Sequence, residues 1–182
     1  MAIIRTKNFT AQAPKGNIDL LDTPERLLSF AQRNNIKVSP YVDVEAIAKA
    51  LGISVRYEAL ANDFSGTLKK NASENNWIIT VEKRHHKNRQ RYTIAHELAH
   101  FCLHRHLKDH FEDLVFFRGG DISKEEFQAN DFASAILMPE DAFREKISSG
   151  KTSIEDLSKD FNVSSLALRI RAKTLGMKGH GL

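Results

Sequence analysis

Residues 91 to 104 read RYTIAHELAHFCLH, which places two histidines four positions apart with a glutamate directly after the first. On a helix turning about 100° per residue, His96 and His100 lie about 40° apart and about 6 Å along the axis, so both imidazoles reach one ion. Glu97 falls about 100° from His96, beside the ligands but angled away from the ion. An HExxH helix therefore offers two metal ligands and a general base, with the metal lowering the pKa of a water towards about 7. With 8 His and 12 Glu among 182 residues, chance supplies roughly 0.02 such matches. The competing reading is a helix merely rich in partly exposed histidine. Ile94, Ala95, Leu98, Ala99, Phe101 and Leu103 argue against it by making the helix largely buried. Buried His and Glu need partners, and a metal is one.

Two histidines leave a tetrahedral site one protein ligand short. His106 stands where the metzincin pattern HExxHxxGxxH places a third histidine. That pattern turns the chain back at a glycine, and position 103 is Leu103. A continuous helix carries His106 about 9 Å past His100, out of reach. His104, His106 and His110 then face solvent or buttress the ligands. The other source is a carboxylate on the following helix. Glu125 and Glu126 both qualify, each about 50° to one side of that helix's apolar face, and periodicity does not separate them. Cys102 lies about 140° from the mean ligand direction and should point into the core; a thiolate blocking the open metal position is the alternative.

Several elements must position these groups. Residues 1 to 22 read as irregular. Thr23 and Pro24 open a helix through TPERLLSFAQRNN, and Asp43 caps a second, VEAIAKAL, that Gly52 ends. From Ile53 the period changes to two, and ISVRYE, FSGTLKK and NWIITVE read as strands of a small antiparallel sheet, with NASENN as the last turn. The histidine helix starts between Asn88 and Arg91. A polar connection containing RGGD leads to a helix from about Ser123 to Met138 with Ala129, Phe132, Ala133, Ile136 and Leu137 on one face, where Pro139 ends or restarts it. Two short helices follow, joined at Asn162 and Val163, with Ser164 capping the second and Gly176 closing it. The class is α+β, divided into an irregular segment 1–22, a catalytic domain 23–148 and a helix-turn-helix-like appendage 149–182.

The 41% hydrophobic content suffices for one core. No apolar run approaches the roughly 18 residues that span a bilayer, and the first twenty residues carry no apolar stretch of signal length. Cys102 is the single cysteine, so no internal disulfide forms, which agrees with a reducing cytoplasmic location. The net charge is +4, concentrated in KRHHKNRQR (83–91) and the C-terminal RIRAKTLGMKGHGL. A solvated face is the first reading of both stretches and nucleic-acid contact the second. In the tail, Leu166, Ala167, Leu168 and Ile170 leave little polar recognition face beside Arg169, Arg171 and Lys173, which favours a packing module over a DNA reader.

The stretch RQRYTIAHELAHFCLH, together with EFQANDFASAILMP, resembles the two motifs of the ImmA/IrrE metallopeptidases, with weaker likeness over residues 41 to 176. Tyr92, where phenylalanine is common, and Ile136, where the pattern has leucine, are the departures. The resemblance implies a zincin-like fold and one Zn²⁺ per chain, held by His96, His100 and Glu126, the last lying three residues before Ala-Asn. Glu97 becomes the general base, and Asn130 a residue that orients a ligand. Tyr92 and His104 are candidates to stabilise an oxyanion, each with a structural role as the competing reading. The resemblance further implies a cytoplasmic bacterial or phage-associated protease that cleaves a helix-turn-helix (XRE-type) repressor, switching on mobile-element, DNA-damage, stress or phage-defence genes. The alternative is a non-catalytic, zinc-stabilised regulator or antitoxin-like protein acting by binding.

Overall fold

The computed structural model describes residues 17–39, 41–61, 64–114, 123–151 and 153–177. A single 3-10 turn, Ile18–Leu20, precedes α1 (Pro24–Arg33) and α2 (Val44–Ala50). The strands β1 (Ile53–Glu58), β2 (Phe64–Asn71) and β3 (Asn76–Glu82) lead to the long helix α3 (Lys87–His104). Then come β4 (His110–Leu114), α4 (Lys124–Leu137), α5 (Glu140–Ser148), α6 (Ile154–Phe161) and α7 (Ser165–Thr174). The molecule is α+β.

Local chemistry sets most boundaries. The side chains of Thr23, Asp43, Ser123, Ser153 and Ser164 each accept a backbone N–H two or three residues into their helices, which satisfies donors that the first turn leaves orphaned. Gly52 closes α2 at φ +76°, and Asn162 ends α6 in the left-handed region at φ 51°. At the end of α3, Arg105 donates from Nη1 to the carbonyls of Phe101 and Cys102, and from Nη2 to Ile18 O and Asp19 Oδ1. One cation thus covers the negative end of the helix and fastens the N-terminal turn to it.

The sheet corrects the antiparallel expectation in one pairing. Strand order is β1-β3-β2-β4. The β2–β3 and β2–β4 pairs are antiparallel, but β1 runs parallel to β3, Glu58 opposite Glu82. β3 buries Ile79, Val81 and Glu82, so it takes an interior place and separates β1 from β2. The link between those two strands is held at the end of β3. Glu82 Oε2 accepts the Leu60 N–H at 2.7 Å, Arg84 Nη2 donates to Leu60 O at 3.0 Å, and Arg84 also closes on the Glu82 carboxylate.

β4 is a strand where a polar connection was expected. Its Phe111, paired with Leu68, is buried, while His110 and Glu112 stay exposed. α3 lies between the sheet and α4, which explains its near-complete burial. The last two helices join the same core: Ile154, Leu157, Phe161, Val163, Leu168 and Ala172 cluster with Ile94 and Leu98. Phe143 of α5 stacks on Phe161 at 5.6 Å, and side chains this size contribute about 1.5–3 kcal/mol each by burial. Arg171 is buried and donates to Met138 O. Arg91 reaches Phe161 O, Asn162 O and Val42 O, so polar as well as apolar contacts cross residue 148.

Candidate metal centre

α3 and α4 meet at three side chains. His96 Nε2 and His100 Nε2 are 3.0 Å apart, with Glu126 Oε2 at 3.1 Å from the first and Oε1 at 3.2 Å from the second. A tetrahedral cation with ligands at about 2.0–2.1 Å separates its donors by about 3.3 Å, so this set fits one with little movement. Both imidazoles are fully buried; Glu126 keeps 34% of its side-chain exposure and marks the side open to solvent. Burial acts to raise the Glu126 carboxyl, but the His100 and His96 rings beside it outweigh that and hold it well below the usual carboxylate range. Burial pushes His100 down against the opposing pull of Glu126, which favours the neutral ring that ligates metal.

The start of α4 shows why Glu126 and not Glu125 faces the histidines. Ser123 accepts the Glu126 N–H at 3.2 Å, the first half of a Ser-x-x-Glu capping box. Glu125 takes up local bonds at this helix start, which lower its carboxyl through its own backbone N–H and Ser123. Glu126 is left to point across to α3.

Around the three donors lie the remaining predicted groups. Asn130 Oδ1 is 3.1 Å from His96 Nδ1, and the Tyr92 hydroxyl donates to the same oxygen at 3.3 Å. His104 Nδ1 lies 3.1 Å from His100 Nδ1, with His104 Nε2 at 3.3 Å from Gln128 Oε1. Tyr92 thus bonds Asn130, and His104 meets the Nδ1 side of His100. Glu97 is fully buried on α3, outside the cluster of donor atoms. Cys102 is buried in the core, its thiol pushed up to about 12 by burial, and it does not join the donor cluster. His106 and His110 are exposed.

Three residues of the site had no reading in the sequence. Phe111 stacks on His100 at 4.8 Å and 29°, closing that wall of the site. Gln128 was only one polar residue of α4. Gly66 lets β2 approach α3 closely: a Cβ there would sit 2.3 Å from Thr93 Cγ2 and 3.2 Å from Glu97 Oε1. The one available signal was a glycine inside a strand pattern, which marks a bulge or a close approach, and the β2–β4 register does shift between Phe64 and Gly66.

The basic loop is largely occupied. Arg84 pairs with Glu82, Arg89 donates to Ser65, Lys87 lies over the Tyr57 ring, and Arg91 is spent on backbone carbonyls. Arg84, Lys87 and Arg89 make these contacts while staying exposed, and Lys83 is exposed too, as are Arg169 and Lys173 on α7; Lys178 lies outside the described residues.

Two imidazoles at i and i+4 of a buried helix, completed by a glutamate from the next helix, form a group that could hold a metal ion in the gluzincin manner, on a zincin-like fold. The chain belongs to the Peptidase M78 family: it matches the model of the IrrE N-terminal-like domain over residues 48–173. That family makes a metallopeptidase role the coarse functional assignment. No curated protein matches the chain.

Proposed function

We propose that the protein is a zinc-dependent endopeptidase that cleaves a helix-turn-helix transcriptional repressor in the cytoplasm and thereby derepresses mobile-element, stress-response or phage-defence genes. The observation that carries the reading is the division of labour on α3: His96 and His100 complete a metal-binding set with Glu126, while the adjacent Glu97 is held in the same buried layer without belonging to that set. A purely structural centre has no use for Glu97.

A divalent cation at this site supplies Lewis-acid chemistry, acidifying water and polarising a peptide carbonyl. His96, His100 and Glu126 hold it, and Asn130 orients His96. Glu97 takes the proton from the attacking water and returns it to the leaving amine. Gly66 keeps β2 pressed close to the Glu97 carboxylate, which restricts its movement. Two imidazoles with one carboxylate suit zinc. A protein rather than DNA is the preferred partner, because Arg91 and Arg171 are committed to backbone carbonyls inside the fold. Among the described residues no helix is long and apolar enough to cross a membrane.

The test is Glu97→Gln, which keeps shape and removes the base. Co-expressed with a helix-turn-helix repressor that the unsubstituted protein cleaves, the variant should retain metal and fold while repressor cleavage falls by roughly 10²- to 10⁴-fold. Derepression by Glu97→Gln with the repressor left intact would show that the protein acts by binding.

A further inference from the structure

A histidine ligates metal through the ring nitrogen that carries no proton, so something must keep the proton on the other one. At His96 the arrangement is direct. Asn130 Oδ1 is an acceptor, so the nitrogen facing it at 3.1 Å, Nδ1, carries the proton. The lone pair is then on Nε2, which faces Glu126.

Among the described residues, what His100 Nδ1 meets is not an oxygen but a second imidazole. Two neutral rings with Nδ1 atoms 3.1 Å apart share one proton between those atoms, and which ring owns it is decided further out. Gln128 Oε1, 3.3 Å from His104 Nε2, accepts only. With the Gln128 amide in this orientation the proton of His104 sits on Nε2, its Nδ1 becomes the acceptor, and His100 donates from Nδ1. Its lone pair is left on Nε2, directed at Glu126 Oε1. With the Gln128 amide turned over, every proton in this chain reverses and His100 presents an N–H to the site.

Building on the metal-centre reading above, we propose that α4 fixes the tautomers of both α3 ligands, Asn130 acting directly on His96 and Gln128 acting on His100 through His104, so that His104 is a positioning residue for metal binding. The helix that brings the third ligand also prepares the other two. Phe111 stacks on His100 and is 6.4 Å from the His104 ring, which limits the ring rotations that would break the chain.

The probe is Co²⁺, followed by its visible absorbance and by chelator competition, with metal-free thermal unfolding of each variant alongside. His104→Leu removes the acceptor and should weaken Co²⁺ binding by about 10- to 100-fold. His104→Asn puts an oxygen near the place of Nδ1 and should stay within a few-fold of the unsubstituted protein. Gln128 is exposed, so its variants should fold: Gln128→Glu, an acceptor only, should bind at least as tightly, and Gln128→Met should bind several-fold more weakly. Nitrogen-15 spectra of the Zn²⁺-loaded protein should place the His104 proton on Nε2. The relay is wrong if His104→Leu and Gln128→Met bind like the unsubstituted protein, if His104→Asn is as weak as His104→Leu, or if His104 carries its proton on Nδ1. An unsubstituted protein that binds no Co²⁺ would overturn the metal-centre reading itself, a result distinct from any of these.

Discussion

Glu125 and Glu126 are chemically identical neighbours with opposite duties, and the difference arises in one helix turn. Ser123 fixes the first turn of α4, Glu125 serves it, and Glu126 crosses to His96 and His100. Glu126→Ala should therefore abolish stoichiometric zinc binding, measured by elemental analysis of the purified protein, while Glu125→Ala keeps it; the reverse pattern would place the ligand wrongly. At this scale the sequence was readable where donors share one helix, because helical geometry alone brings His96 and His100 together. It stalled where the partner lies on another helix: periodicity left Glu125 and Glu126 equivalent, and only the likeness of EFQAN to a family motif separated them. Gln128 and Phe111 were illegible for the same reason. Their roles exist only once α4 and β4 are packed on α3.

Elements were legible where a cap or a change of period announces them. Thr23, Asp43, Ser123 and Ser164 each sit at the helix start their chemistry suggests. Sheet pairing was less so, because alternation shows which face a residue takes and not which strand lies beside it. Hence β1 turned out parallel to β3, and β4 hid in a five-residue stretch with a single buried aromatic. Gly66 joins sheet to active helix, and it yields a test of that contact. In Gly66→Ala the new methyl meets Thr93 and the backbone oxygen of Thr80, and overpacking of this kind costs about 1–3 kcal/mol. Urea unfolding should show the loss, and pairing the change with Thr93→Ser, which removes the methyl it strikes, should recover much of it. An unaltered midpoint in the single variant would mean that β2 stands off from α3.

Across the whole molecule, buried and half-buried histidines tie stability to pH. Burial is the leading cause of depression at His85, His100 and His104, with Arg89 adding to it at His85 and with Glu126 and Gln128 opposing it at the other two. In the unfolded chain a histidine titrates near its ordinary value of about 6.5. In the fold these three hold their protons less tightly. Above about pH 6.5 both states leave them neutral and the difference costs nothing. As the pH falls below that value the unfolded chain takes up protons the folded one refuses, so stability drops with acid and levels off only below the depressed folded values. Carboxylates held low, Asp160 by Lys146 and Lys151 and Glu155 by its own backbone N–H and Ser153, add a separate loss in the more acidic carboxylate range. The metal-free protein should therefore melt at a lower temperature at pH 5.5 than at pH 7.5, and zinc should raise the midpoint more at pH 7.5, since ligand and proton compete for the same ring nitrogens. Substituting His85 alone with Gln should remove part of the slope without touching the zinc-dependent part. A metal-free midpoint that holds steady between those two pH values would show that these three rings take up protons in the folded state as readily as in the unfolded one.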